Sequence, residues 1–212
     1  MERFFNTAGP NIPEDNYTID PLSRFDLEEI EMLIRQKRYF VLHAPRQTGK
    51  TSCMLALRDY LNAQGDYIAV YANVEGGQAS RNDKATVVKS TIDTLTGEMR
   101  LIMKDDRADK ACEAVQRIGT DSMLSQFLSL LCQSLDKPLV LIIDEIDALV
   151  GDSLVSVLRQ LRSGYANRPK AFPQTVILCG IRDVRDYRIV LSNQDIVTGG
   201  SAFNIKAESL RL

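Results

Sequence analysis

The stretch Ala44-Pro45-Arg46-Gln47-Thr48-Gly49-Lys50-Thr51 restricts this chain more than any other. It follows the apolar run Tyr39-Phe40-Val41-Leu42 and leads into Ser52-Cys53-Met54-Leu55-Ala56-Leu57, which reads as a helix. Strand, tight loop, Gly-Lys-Thr and helix make up the context that a phosphate-binding loop requires. Backbone N–H groups of such a loop converge on phosphate oxygens, and the helix N-terminus adds partial positive charge. Gly49 lets the backbone approach closely, Lys50 reaches the β- and γ-phosphates, and the Thr51 hydroxyl can ligate Mg²⁺. The residues expected to bind a nucleotide here are Ala44, Pro45, Arg46, Gln47, Thr48, Gly49, Lys50, Thr51 and Ser52.

The place usually held by the first glycine of such a loop is Ala44, followed by Pro45. Alanine tolerates positive φ poorly, and proline removes one N–H from the loop.

At 212 residues the chain suits one domain with a full core, or one domain with an appendage. Its 44% hydrophobic and 25% charged residues are ordinary for a globular protein, and a net charge of -2 supplies no basic footprint for nucleic acid. No apolar run is long enough to span a bilayer, and Met1-Glu2-Arg3-Phe4-Phe5-Asn6 lacks the apolar core of a signal peptide. Cys53, Cys112, Cys132 and Cys179 lack metal-type spacing and read as reduced core thiols of a cytoplasmic protein.

Along the chain, residues 1–38 form an opening segment before a core spanning 39–212. Asp26 is expected to cap a helix carrying Leu27, Ile30, Leu33 and Ile34 at helical spacing. The only histidine, His43, ends the first strand and reads as structural. A helix after the loop stops at Gly65, and residues 67–72 form a second strand. Val88, Ile92, Leu95, Met99 and Ile102 mark one long amphipathic helix, with shorter helical pieces over 108–118 and 122–135. After Pro138, Leu139-Val140-Leu141-Ile142-Ile143 is a continuous aliphatic run of the kind buried on both faces of a parallel sheet. Asp152 is expected to cap the helix that follows, residues 175–180 form a fourth strand, and residues 202–205 a fifth. Strands alternate with helices, which predicts an α/β fold whose parallel sheet is covered on both faces.

The aliphatic run ends in Asp144-Glu145-Ile146-Asp147, the pattern of a Walker B strand. A carboxylate at the end of a buried strand lies beside the phosphate-binding loop, where ligands of α/β sheets sit. Asp144 would hold Mg²⁺, directly or through water, and Glu145 would orient and deprotonate an attacking water. Small-molecule kinases pass phosphoryl groups to a bound hydroxyl and need no such glutamate. Asp147 reads as structural or interface-forming.

Together, residues 44–51, residues 142–147 and Leu178-Cys179-Gly180-Ile181-Arg182-Asp183 resemble the AAA-like ATPases of prokaryotes. These relatives include origin-recognition and signal-transducing P-loop ATPases. The resemblance extends to Phe5-Asn6-Thr7-Ala8-Gly9-Pro10 with Tyr17 and Arg24, and to Phe203-Asn204-Ile205-Lys206. It implies a three-layer αβα P-loop fold with a five-stranded parallel sheet in the order 5-1-4-3-2. ATP and Mg²⁺ follow as cofactors, and Tyr17 or Arg24 as neighbours of the base if the opening segment folds over it. The other reading makes that segment a strap along a sheet edge.

In relatives a polar sensor follows the fourth strand, whereas here Arg182 or Asp183 takes that place. A helical lid usually follows the fifth strand, and the chain's end at Leu212 suggests its absence. A neighbouring subunit or protein partner would supply an arginine finger. Arg162, Arg168, Arg182, Arg185 and Arg188 are the candidates within this chain.

The expectation is an ATP-dependent, Mg²⁺-dependent ATPase core that drives a conformational or assembly switch. Lys50 and Glu145 carry the catalysis, and Thr51 and Asp144 hold the metal. The alternative is a nucleotide-dependent interaction module with little or no hydrolysis, motivated by Ala44-Pro45 and the missing polar sensor.

Overall fold

The computed structural model describes residues 3–6, 12, 14–80, 83–181, 188–190, 196–198 and 208–212. Five strands form one all-parallel sheet: β1 (Phe40–His43), β2 (Ile68–Asn73), β3 (Leu139–Asp144), β4 (Thr175–Gly180) and an edge strand, Glu208–Arg211. Between β4 and that edge strand, β5 (Arg188–Val190) and β6 (Ile196–Thr198) form a separate antiparallel pair, which makes the edge strand β7. The large sheet runs β7-β1-β4-β3-β2, the anticipated 5-1-4-3-2 arrangement once the β5–β6 pair is set aside.

Period-two alternation along each strand sends side chains into two separate cores. Val41, Val70, Leu141, Ile143, Val176 and Leu178 face one layer, and Phe40, Leu42, Ala69, Ile142, Ile177 and Cys179 face the other. The second layer is α1 (Leu27–Arg35) with α2 (Lys50–Gln64). The first layer holds α3 (Lys84–Met103), α4 (Arg107–Val115), α5 (Thr120–Ser134) and α6 (Gly151–Ser163). Both faces of β3 are therefore dry, which accounts for its unbroken aliphatic run.

Local signals set some of the helix ends. Asp26 Oδ1 accepts from the Glu29 N–H at 3.0 Å, a cap that contributes about 1 kcal/mol. Gly65 ends α2 with φ 81°, a backbone conformation that costs glycine little. Asp152 is not the cap expected for α6. The capping position is Val150, and Asp152 lies in the first turn, where its charge favours the helix dipole without closing the end.

The fifth strand also differs from expectation. Residues 202–205 lie outside the described residues, and the strand beside β1 is Glu208–Arg211. Only Leu210 of β7 packs into the core, so an edge strand with one anchoring side chain leaves little apolar pattern. The β5–β6 pair was likewise not anticipated. All four cysteines are free thiols, three of them buried and Cys112 partly so.

Gly164 closes α6 at φ -89°, where any residue fits the backbone, yet a Cβ there would fall inside the ring of Phe172. Phe172 is 1% exposed. Gly164→Ala is expected to lower stability by about 1–3 kcal/mol through overpacking. An unchanged urea midpoint would show that the ring relaxes freely.

Candidate active site

The loop between β1 and α2 sits at the carboxyl edge of the sheet. Its first residue, Ala44, is buried and donates its N–H to the Gly180 carbonyl at 3.1 Å, which ties the loop to the end of β4. The Thr48 hydroxyl donates to the Pro45 carbonyl at 2.8 Å and closes the turn. Gly49 has φ 77°, so the loop enters α2 through a left-handed residue. No side chain caps α2 and no acid lies in its first turn, so its leading N–H groups and positive dipole end remain available to an anion.

The conformational burden of the loop falls on Gln47, not on Ala44. Gln47 has φ 61°, whereas Ala44 is not among the described positive-φ residues. A left-handed non-glycine residue costs about 1–2 kcal/mol. Gln47→Gly should therefore raise stability by roughly 0.5–1 kcal/mol after the entropy of the freer unfolded chain is counted. Ala44→Gly should lower it by a similar roughly 0.5–1 kcal/mol. Opposite signs in chemical unfolding check the pair of predictions; two shifts of the same sign would contradict it.

A cavity of about 560 Å³ lies over the loop, lined by Pro45, Arg46, Gln47, Gly49, Lys50, Thr51 and Ser52 with Glu145. Asn73 and Glu75 complete its wall and were not anticipated; their only signal was a polar residue ending the apolar run of β2. At its floor the side chains from the two motifs meet. Lys50 Nζ lies 3.1 Å from Glu145 Oε1 and 3.6 Å from Asp144 Oδ1. The Thr51 hydroxyl donates to Asp144 Oδ2 at 2.9 Å, and the Tyr71 hydroxyl donates to the same oxygen at 3.0 Å.

Charge is held here against burial. Burial is the largest influence on Lys50 and opposes its charge, but the Asp144 and Glu145 carboxylates outweigh it and hold the ammonium above the usual lysine value. Burial pushes the Tyr71 phenol and the Cys179 thiol up, and the Asp144 charge beside them adds to it, so both stay protonated. Glu145 has φ 58°, a left-handed backbone for a non-glycine residue. Strain of this sort concentrates at functional positions.

A second cavity of about 380 Å³ adjoins the first across Gly49 and Ser52. Tyr17, Ile19, Pro21 and Arg24 of the opening segment line it, with Cys53 of α2. Arg24 donates to the Thr48 carbonyl, so this segment is fastened to the loop itself. Tyr17 is 53% exposed, and its ring lies 5.0 Å from that of Phe5.

The residues fit a divalent cation of the hard, oxygen-seeking kind. The hydroxyl of Thr51 lines the cavity and is bonded to the buried Asp144, and Mg²⁺ typically takes one or two such oxygens and completes its shell with water and phosphate. Among the described residues no cluster of three or more His, Cys, Asp or Glu could cage a metal alone.

A family model for the AAA domain matches residues 34–187. The chain belongs to the AAA domain family. Of the solved structures, a Drosophila ORC bound to poly(dA/dT) DNA and Cdc6 is similar at 14% identity and TM-score 0.52, over 87% of this chain and 28% of that one. Cdc6p from Pyrobaculum aerophilum is similar at 17% identity and TM-score 0.47, covering 86% and 41% of the two chains. A Walker-type ATPase of Pyrococcus abyssi follows at 16% identity and TM-score 0.46, covering 74% and 45%. The likeness to the Drosophila structure concerns the fold. The chain spans less than half the length of each of these structures. No curated protein matches it.

In this AAA domain the remaining singled-out residues divide cleanly. Asp147 Oδ1 accepts from the Ile181 N–H at 3.2 Å. Arg168 is occupied, stacked 3.3 Å over the Tyr165 ring and donating to the Tyr165 carbonyl at 2.6 Å. Arg162 is exposed in the last turn of α6. Arg182, Asp183, Arg185 and the side chain of Arg188 lie outside the described residues. No helix among the described residues is long and apolar enough to cross a membrane.

Proposed function

We propose that this AAA domain binds ATP with Mg²⁺ in the cavity over residues 44–52 and hydrolyses it. One observation carries the reading: Lys50, Thr51 and Glu145 line one cavity, and the buried Asp144 is bonded to Thr51 and faces Lys50, so two distant segments converge there. Lys50 and the leading N–H groups of α2 stabilise negative charge on the transferring phosphoryl group. Thr51 and Asp144 hold Mg²⁺, which neutralises phosphate charge when bound. Glu145 orients a water and accepts its proton as the water oxygen attacks the γ-phosphorus. The bond to the bridging oxygen breaks, and ADP and phosphate leave.

Lys50 and Glu145 pair with each other at 3.1 Å. ATP separates them by offering Lys50 a more highly charged partner. That exchange couples nucleotide binding to the carboxyl edge of the sheet and is the basis of a conformational or assembly switch. Residues 1–38 flank the nucleotide through Arg24 and Tyr17, and residues 39–212 form the ATPase core. An arginine from a second copy or a protein partner completes the charge stabilisation, so turnover by this chain alone is slow.

The same ion pair also favours a second reading, a domain that binds nucleotide and switches without appreciable hydrolysis. Phosphate release from ATP, measured with Mg²⁺ and with EDTA, separates the two. Mg²⁺-dependent release supports the ATPase. Tight ATP binding with no release leaves the binding switch, and no binding overturns both.

A further inference from the structure

Asp144 is fully buried, and its two oxygens are held by different parts of the fold. Oδ1 accepts from the Glu145 N–H at 2.9 Å and faces Lys50 at 3.6 Å. Oδ2 accepts from Thr51 at 2.9 Å and from Tyr71 at 3.0 Å. Tyr71 stands on β2 opposite Ile142 of β3, two residues before Asp144, so parallel register places both side chains on the α2 face of the sheet. Its ring is 8% exposed, and a phenol so deep is costly unless its hydroxyl finds a partner. That partner is Asp144.

We propose that Tyr71 is a positioning residue for the divalent cation, its hydroxyl fixing the rotation of the Asp144 carboxylate so that Oδ2 stays directed at Thr51. The inference rests on Thr51 and Asp144 holding Mg²⁺. The terminal torsion of an aspartate is broad and roughly two-fold, so one backbone N–H at Oδ1 leaves the carboxylate free to turn. Lys50 hangs on a flexible stem and leaves for the phosphates once nucleotide binds. Thr51 turns its oxygen to the metal. Of the two donors to Oδ2, Tyr71 alone is claimed by neither nucleotide nor metal, and its buried ring is anchored on β2, which pairs with β3 along its whole length. The Cys179 thiol, a weak donor, also faces the carboxylate from β4. Partners that orient a metal ligand in this way typically contribute about 10–100-fold to metal affinity.

The test titrates Mg²⁺ against binding of a fluorescent ATP analogue, with wild type, Tyr71→Phe, Asp144→Asn and the double variant, thermal unfolding being followed in parallel. Tyr71→Phe is expected to raise the half-saturating Mg²⁺ concentration about 10-fold or more, with nucleotide binding in EDTA unchanged. In the Asp144→Asn background the same change should shift it no further, because Tyr71 acts through Asp144. A Tyr71→Phe titration that superimposes on wild type, whatever its melting temperature, would leave Tyr71 a packing residue and overturn the inference alone. Wild-type binding that ignores Mg²⁺ would overturn the metal reading of Thr51 and Asp144 and this inference with it.

Discussion

Glu145→Gln is expected to bind ATP at least as tightly as wild type while releasing phosphate about 10²–10⁴-fold more slowly. The substitution keeps the shape of the side chain and removes only its charge and basicity. Glutamine tolerates the left-handed backbone at this position, φ 58°, about as well as glutamate, so the local fold should persist. Two effects then separate. Without a carboxylate to accept the proton of water, the chemical step loses its general base. Meanwhile Lys50 loses the partner now 3.1 Å away and turns more readily to a phosphate, so affinity holds or rises. Binding by fluorescence and phosphate release, measured on one preparation, distinguish these effects. Equal turnover of the two proteins would remove Glu145 from the chemistry and favour the non-hydrolysing switch.

Lys50→Ala should have the largest combined effect, abolishing measurable ATP binding and lowering stability by about 3 kcal/mol. Lys50 is 7% exposed and Asp144 is fully buried, so removing the ammonium leaves a negative charge in a dry site with only neutral donors around it. A charge in that setting costs more than the pair it replaces. The second carboxylate, Glu145, is 25% exposed and recovers solvation by turning outward, which keeps the loss from doubling. The stabilising contribution of Lys50 is complete at neutral pH. Its folded-state ionisation is raised, so that contribution is lost only as pH climbs from about 10 through the folded value. Adding Asp144→Asn to Lys50→Ala should recover most of the lost stability, a coupling that a double-mutant cycle in urea reads directly. A double variant no more stable than Lys50→Ala would show that the pair is not what holds this corner together.

Several parts of this architecture were legible because they obey short-range rules. Gly49-Lys50-Thr51 lies between an apolar run and a helix, and the aliphatic run before Asp144-Glu145 has the length and dryness of a central strand. Strands alternating with helices, together with that unbroken run, gave away a sheet buried on both faces. Asp26 and Gly65 marked helix ends by local hydrogen bonding and backbone freedom. The weak signals failed for equally physical reasons. Edge strand β7 has one inward apolar residue, and α6 begins at Gly151 after Val150, an apolar residue that leaves no capping pattern.

Residue order was enough to read an α/β fold with a parallel sheet and the two segments that had to meet, since loop, strand and helix patterns are written in neighbouring residues, whereas the strand order was implied by the resemblance to AAA-like ATPases. How those segments engage was set by tertiary packing. The Lys50–Glu145 pair, the Tyr71 bond to Asp144, the left-handed Gln47 and the hold of Arg24 on Thr48 all join or strain residues through contacts set by packing. A hydrogen bond between strands or a backbone angle imposed by a crowded loop depends on distances that residue order does not contain.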